Sequence, residues 1–515
     1  MKTQQLLMRL LVVIAFFMGL NWLNAQNQPG VAASWLGTTN TNWHTASNWS
    51  NHVVPTATTD VTIKDNINNR YPVLSAPGIC KSINIQNSAF ILGNSNLTIV
   101  NNQVWVQRVV LGNLMTQWHY ISSPIADATA STFMGWLMNH YIESLRYWDD
   151  ILDPATPLTV TRGFAVAPDY GGGLITYTGT ALNYGNYTAN LSYTPDITMP
   201  DYACWNLIGN PYPSAIDYDL IPAGNKVNVD ASIATWNYAT GSYIYWNGLV
   251  GGITNGILPL GQGFFVRANA AGGSVTFAEV ARTANDVPLY KSSVDNLLVL
   301  NVTNNVNAYA DEHYINFNDA ATTGYDGQFD AYKLANSVEA PSLFSYTDDQ
   351  YKLAINTLPS LESTDMIQLG FHAGVEADYT LTISGLESFN QAIPFYLEDK
   401  VTGNITNLRE TNVYSFHAVP GADANRFIVH LNPVGIKENS TSGMTIYSNG
   451  HSVYVNAPAS VGGEVSIMNI TGQEIAHQPL TSGTLNVINV DSNSGYYFVK
   501  VISGNTVSNK KVFIQ

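Results

Sequence analysis

Four short stretches of this 515-residue chain occur twice, in the same order. Trp118-His119-Tyr120-Ile121-Ser122-Ser123-Pro124 returns as Trp205-Asn206-Leu207-Ile208-Gly209-Asn210-Pro211, and Tyr147-Trp148-Asp149 as Tyr245-Trp246-Asn247. Gly163-Phe164-Ala165-Val166 returns as Gly263-Phe264-Phe265-Val266, and Gly172-Gly173-Leu174-Ile175-Thr176-Tyr177 as Gly272-Gly273-Ser274-Val275-Thr276-Phe277. The offset grows from 87 to 98 and then holds at 100, so the copies differ by insertions near the middle. The repeated Trp-x-x-Ile-x-x-Pro stretch is a strand running into a turn, because Pro fixes φ and has no N–H to continue a ladder. Residues 107–283 are therefore expected to form a duplicated, two-lobed β domain.

The same period-2 alternation, broken by Gly, Asn and Ser, runs through the rest of the chain and predicts an all-β, multidomain protein. In residues 26–106, apolar positions at Ile83/Ile85, Ile91, Leu97/Ile99 and Val104/Val106 recur every six to eight residues with Asn-rich corners. That spacing suits stacked rungs, a short β-solenoid or ladder-like sheet. Residues 284–432, after a Pro- and Ser-containing linker, carry seven strand-like runs at the spacing of a β-sandwich. Residues 433–515 read as a small closing sandwich with strands at 444–447, 452–455, 464–468, 485–487, 497–501 and 511–514.

Within that last segment, the Gly472-Gln473-Glu474 turn, the run Gly495-Tyr496-Tyr497-Phe498-Val499-Lys500-Val501 and the ending Lys510-Lys511-Val512-Phe513-Ile514 resemble a type A sorting domain of type IX secretion. The resemblance implies an immunoglobulin-like sandwich and delivery by the outer-membrane secretion machinery. It also implies that the domain is removed there, with the cargo released or joined to surface lipopolysaccharide. Gly472, Gly495, Tyr497, Lys500, Lys510 and Lys511 carry the motif. Tyr447-Ser448-Asn449-Gly450 departs from the Tyr-Pro-Asn-Pro-like opening of many members. Trp35-Leu36-Gly37, Asn42-Trp43, Asn48-Trp49 and Asp60-Val61-Thr62-Ile63 resemble an N-terminal module widespread in surface proteins of such bacteria, a resemblance that carries no chemistry. Asn206 to Pro213 and Tyr325 to Leu334 likewise resemble segments recurrent in that class.

The other end of the chain is consistent with export. Lys2 and Arg9 precede an apolar run, Leu10 to Leu20, too short for a spanning helix of about 20 residues, and Ala25 offers a cleavage point; residues 1–25 are expected to be a signal peptide. The formal net charge of −16 disfavours nucleic acid as a partner. Two cysteines, Cys80 and Cys204, make no disulfide framework and are expected to be small buried residues.

No His-Glu-x-x-His, Cys-x-x-Cys, Gly-x-Ser-x-Gly or P-loop pattern occurs, and no cofactor is expected. The duplicated Trp148 and Trp246 are candidates for glycan stacking, with core packing as the alternative. Trp35, Trp43 and Trp49 could stack on sugars, but capping the open end of the solenoid is the better reading. Asp319, Asp326 and Asp330 could offer oxygens to Ca²⁺, though they form no EF-hand loop and a solvated turn is the competing reading. Glu143, Asp149, Asp150 and Asp153 cluster near Trp148 as a glycosidase pair would, or as a solvated loop. Four β modules and a leader leave no room for a conventional catalytic domain. The chain is thus expected to be an exported, non-enzymatic protein of the cell surface or surroundings serving adhesion, matrix formation or scaffolding. The alternatives are a carbohydrate-binding protein and a secreted glycoside hydrolase with an unrecognised site.

Overall fold

The computed structural model describes residues 31–65, 69–112, 117–168, 172–284, 294–362, 364–431, 444–458, 462–504 and 506–514. The expected signal peptide and the centres of the linkers near residues 284–296 and 432–443 lie outside the described residues.

The first module is a solenoid. Strands Val31–Trp35, Thr59–Ile63, Ser82–Ile85 and Val104–Val110 lie side by side in parallel, with Val31 opposite Thr59, Asp60 opposite Ser82 and Ile83 opposite Val104. Gly78–Cys80 and Leu97–Ile99 make a second parallel pair, and bridges linking Asn42, Val73 and Leu92 a third line. The six- to eight-residue spacing in the sequence is therefore the step from one face of a coil to the next. The repeat from rung to rung is a whole coil. Val61, Ile63, Ile83, Ile85, Val104 and Val106 fill its interior. At the first coil Trp35, Trp43 and Trp49 are all buried, packed edge to face with ring centroids 5.0 and 4.7 Å apart. They offer no face to a sugar.

The solenoid does not end at residue 106. Strand Gly173–Gly179 pairs antiparallel with the whole of Val104–Val110 and becomes the fifth strand of the sheet, so a segment from the duplicated region caps the stack. One core runs through both, from the tryptophans to Ile125, Phe133, Tyr177 and Leu182.

The duplication is visible in the topology. His119–Ile121, Phe164–Ala167, Leu137–Ile142 and Tyr147–Asp150 pair in that order, and Trp205–Gly209, Gly263–Ala268, Val229–Asn237 and Ser242–Trp246 repeat it. The lobes meet about a local two-fold axis. Ser122 N–H donates to Gly261 at 2.9 Å, and at the equivalent place Gly209 N–H donates to Thr161 at 2.9 Å. Thr161 and Gly261 share the left-handed conformation, at φ 70° and 76°.

Residues 298–431 form one continuous eleven-stranded sheet from Asn404–Asn407 at one edge to Val413–Ala418 at the other. The two faces of the expected sandwich are thus parts of a single sheet curled around Leu300, Ile315, Leu369, Tyr379 and Phe427. Its edges are tied by Asp399, which accepts from Tyr414 Oη at 2.9 Å and from Arg426 Nη2 at 2.7 Å.

The last module is a sandwich of three strands (Thr445–Asn449, Ser452–Asn456, Leu485–Asn489) on four (Glu474–Leu480, Gly463–Met468, Gly495–Ser503, Thr506–Ile514). The alternation pattern does not predict Glu474–Leu480. It is an edge strand, the one kind of place where Pro479 is tolerated in a ladder, and little of it is buried.

At the two-fold axis, a Cβ on Gly209 would overlap that of Ser122. Gly209→Ala is accordingly expected to destabilise the protein by about 1–3 kcal/mol. Gly185→Ala, with open space around it but at φ 79°, is expected to cost only about 1 kcal/mol through backbone strain. Guanidinium unfolding of both variants measures the difference.

Candidate functional site

Cross-strand register corrects the pairing of the duplicated tryptophans. In the second lobe Val266 lies opposite Ile233, which lies opposite Trp246. In the first, the equivalent Val166 lies opposite Met138, whose carbonyl accepts from Ile151 at 2.8 Å. The counterpart of Trp246 is therefore Ile151, and Trp148 lies three residues earlier, on the opposite face of its sheet. The turns agree: Arg146, at φ 51°, stands where Gly241 stands at φ 63°.

The consequence is a different fate for the two rings. Trp246 is 4 % exposed, packs into the second lobe's core and donates Nε1 to Asp219 at 3.0 Å. Its burial removes it as a stacking platform. It also borders a cleft of about 410 Å³ shared with Val250, Val294 and Tyr314. Trp148 is half-buried and pairs with Tyr141, ring centroids 5.2 Å apart. The true counterpart of that pair is Trp236 with Tyr243, at 5.0 Å and with the residue types exchanged. The two pairs converge on Tyr120 and Phe265. Tyr120 stacks on Trp148 at 5.5 Å and shares a 2.7 Å hydroxyl hydrogen bond with Tyr243. Burial pushes both hydroxyls well above the ordinary phenol range. Motif matching missed Trp236, Tyr243 and Tyr120, because only the pairing of strands shows which residues share a face.

Trp148 sits on Tyr147–Asp150, the edge strand of its sheet. Exposed side chains gather there and on the neighbouring loop: Leu145, Tyr147, Leu152, Ile197 and Met199. Arg146 ties the two segments with a 2.8 Å ion pair to Asp196. Each of the four carboxylates has a local partner. Glu143 is buried and accepts from Thr194 N and Oγ1 at 3.0 and 2.8 Å. Asp150 accepts from Asn139 at 2.7 Å, Asp153 from Ala155 N at 2.9 Å, and Asp149 faces His140 at 3.7 Å.

Two of the three calcium candidates are likewise occupied with the backbone. Asp330 is buried and accepts from Thr357 N–H and Asp326 N–H, both at 2.8 Å, while Asp326 itself accepts from Thr322 N–H. Asp319 is exposed on the turn after the strand Ala310–Phe317. Among the described residues no three His, Cys, Asp or Glu side chains gather as a metal would require. Burial raises the Asp330 carboxyl to about 7. Cys80 and Cys204 are buried and unbridged, and burial pushes the Cys80 thiol up to about 12.

In the closing sandwich, Gly472 takes φ 83° in the turn that Asn469 closes, and Gly495 opens the strand Gly495–Ser503. Tyr497 is buried and donates its hydroxyl to Asn493 at 2.6 Å, pinning the start of that strand. Lys511 lies 3.9 Å over the Tyr496 ring, and Lys500 and Lys510 are carried by the last two strands.

A family model described as a secretion system C-terminal sorting domain matches residues 444–515, and one described as "Domain of unknown function (DUF8693)" matches residues 115–431. No curated protein matches the chain. A solved structure titled "Biofilm associated protein - BSP domain" aligns at a TM-score of 0.15 and 9 % identity, covering 78 % of this chain and 90 % of that one. A likeness at that level carries no argument.

Two outcomes are expected. Trp246→Ala should cost about 3–5 kcal/mol of stability, as core truncation of this size does, and the half-buried Trp148→Ala clearly less, both read by urea unfolding. For Asp330 the folded carboxyl, near 7, holds a proton that the unfolded chain has released above about 4. Its contribution to stability is therefore full below the unfolded value and is lost as pH rises through about 7. Unfolding midpoints between pH 4 and 8 should fall for the parent, and the slope should flatten in Asp330→Asn. A calcium site there would instead raise the midpoint at neutral pH on addition of CaCl₂.

Proposed function

We propose that this chain, which belongs to the family described as Domain of unknown function (DUF8693) and ends in a secretion system sorting domain, is a non-enzymatic adhesive or scaffolding protein of the cell surface or its surroundings. The sorting domain makes it cargo of type IX secretion, exported through the outer membrane by that machinery. The observation that carries the scaffold reading is the joining of successive modules by buried backbone and ionic contacts. A strand from the duplicated domain completes the solenoid sheet. The third module then grips the second lobe: Leu334 N–H donates to Tyr245 Oη at 2.8 Å, Ser337 N–H to Gly241 at 2.8 Å, and Tyr325 Oη to Asp230 at 2.6 Å. Asp230 is in turn paired with Arg267 at 2.9 Å. Contacts of this kind support the scaffold reading, because a matrix or adhesive component needs modules joined firmly enough to share load.

A second reading, glycan recognition, is favoured by the exposed Tyr147 and half-buried Trp148 on the open edge of the first lobe. Loss of the gene is expected to reduce cell attachment to surfaces or biofilm mass several-fold, with restoration by the intact gene. Unchanged attachment would overturn the adhesive reading. Saturable binding of the purified protein to a glycan array, lost in Tyr147→Ala and Trp148→Ala, would establish the second. Turnover of a glycan by the purified protein would establish a hydrolase instead.

A further inference from the structure

The sorting domain is packed against its own cargo. Tyr447, Tyr454 and Leu485 on its three-stranded sheet form one buried cluster with Tyr396 of the eleven-stranded sheet, flanked by Met366 and Ile405. Tyr447 and Tyr454 stack with ring centroids 5.0 Å apart at 10°, and the His430 ring lies 4.8 Å from Tyr454. His430, on the cargo side, is fully buried and has both ring nitrogens engaged. Nε2 meets Glu398 at 2.7 Å, and Nδ1 lies 2.8 Å from the Tyr447 hydroxyl. A second bond crosses the boundary where Tyr396 Oη donates to Asn456 at 2.9 Å.

We propose that residues 366–430 of the cargo form a specific docking site for the three-stranded sheet of the sorting domain, one that holds the domain without help from the connecting chain. Four features distinguish it from two modules merely tethered side by side. The tyrosines are about 95 % removed from solvent. The cluster contains aromatic side chains from both partners. A histidine is satisfied on one nitrogen from each side of the boundary. Burial drives the Tyr447 hydroxyl far above the ordinary phenol range, which keeps it protonated and able to donate. A freed sorting domain would return the apolar face of Tyr447, Tyr454 and Leu485 to water, which is costly, while the Tyr447 hydroxyl would exchange its bond to His430 for one to water. Docking also sets which surface of the sorting domain is left to other partners. The outer face of its four-stranded sheet, with Tyr496, Phe498, Lys511 and Phe513, faces away from this contact and is exposed.

The test uses the full exported chain with a site-specific protease recognition sequence placed within residues 433–443. After complete cleavage the sorting domain is expected to co-elute with the remainder on size exclusion. A tail that separates at once, while both pieces keep their circular-dichroism spectra, would overturn the proposal. Tyr447→Phe and Tyr396→Phe each remove one hydroxyl and keep the ring, and each should speed dissociation of the cleaved tail about ten-fold. Their thermal melts in the uncleaved chain report folding separately. Dissociation unchanged in both variants would mean that the contact is not the one holding the tail.

Discussion

The reciprocal hydrogen bonds between Ser122 and Gly261 and between Gly209 and Thr161 fix the centre of the molecule, because each lobe satisfies backbone groups that the other leaves open. Neither four-stranded sheet would be complete without its twin, since an edge lying in the interior must find partners. The proline turns that follow are buried too, and amides answer their carbonyls. Asn183 Nδ2 donates to Ser123 and Pro211, the two residues lying one on each side of the axis. Asn210, with no exposed surface, donates to Ser214 and accepts from Tyr212 N–H. Everything N-terminal and C-terminal is built outward from this seam: the solenoid through Gly173–Gly179, the curled sheet through Tyr245, Asp230 and Gly241.

Beside the second lobe, the curled sheet buries a charge pair. Lys333 sits 2.6 Å from Asp311, both almost wholly enclosed, and Leu343 N–H adds a third bond to the same carboxylate at 2.7 Å. Removing one member of such a pair is far more damaging than replacing both, because it leaves an uncompensated buried charge. Arg426 and Asp399 form another such pair at the closure of the sheet.

How much of this was legible in the sequence depended on whether the information was local. Period-2 alternation located most strands of the closing sandwich, and the double occurrence of Trp-x-x-Ile-x-x-Pro foretold two lobes of one topology. Register was not local. The repeated Tyr-Trp dipeptide aligned Trp148 with Trp246, whereas the hairpin turns at Arg146 and Gly241 and the ladder from Val166 to Ile151 place them on opposite faces. A shift of three residues in a strand inverts every side chain, so a sequence match can be real and still misassign a site. Strand sharing was equally hidden: nothing in Val104–Val110 announces that its partner will be Gly173–Gly179. The tryptophans of the first coil were read as a cap on the open end of the stack rather than as a sugar platform, and all three are buried there.

The lobes differ most where they face outward. At the hairpin of the second lobe, Gly241 admits the ring of Tyr309, and the third module covers the edge strand Ser242–Trp246 with residues 334–337. At the equivalent hairpin of the first lobe, Arg146 occupies the glycine position and its long side chain reaches Asp196 instead. No neighbouring strand among the described residues covers the edge Tyr147–Asp150. An uncovered edge in an exported β protein invites pairing with any extended chain, and acidic side chains are one way to prevent it. Asp149 and Asp150 stand where the covered edge has Ile244 and Tyr245. Two copies meeting edge to edge would bring these carboxylates together and repel, while a neutral or basic partner would not. The duplication thus yields one lobe committed to holding the molecule together. The other keeps its edge strand uncovered by any described strand and carries acidic side chains along it.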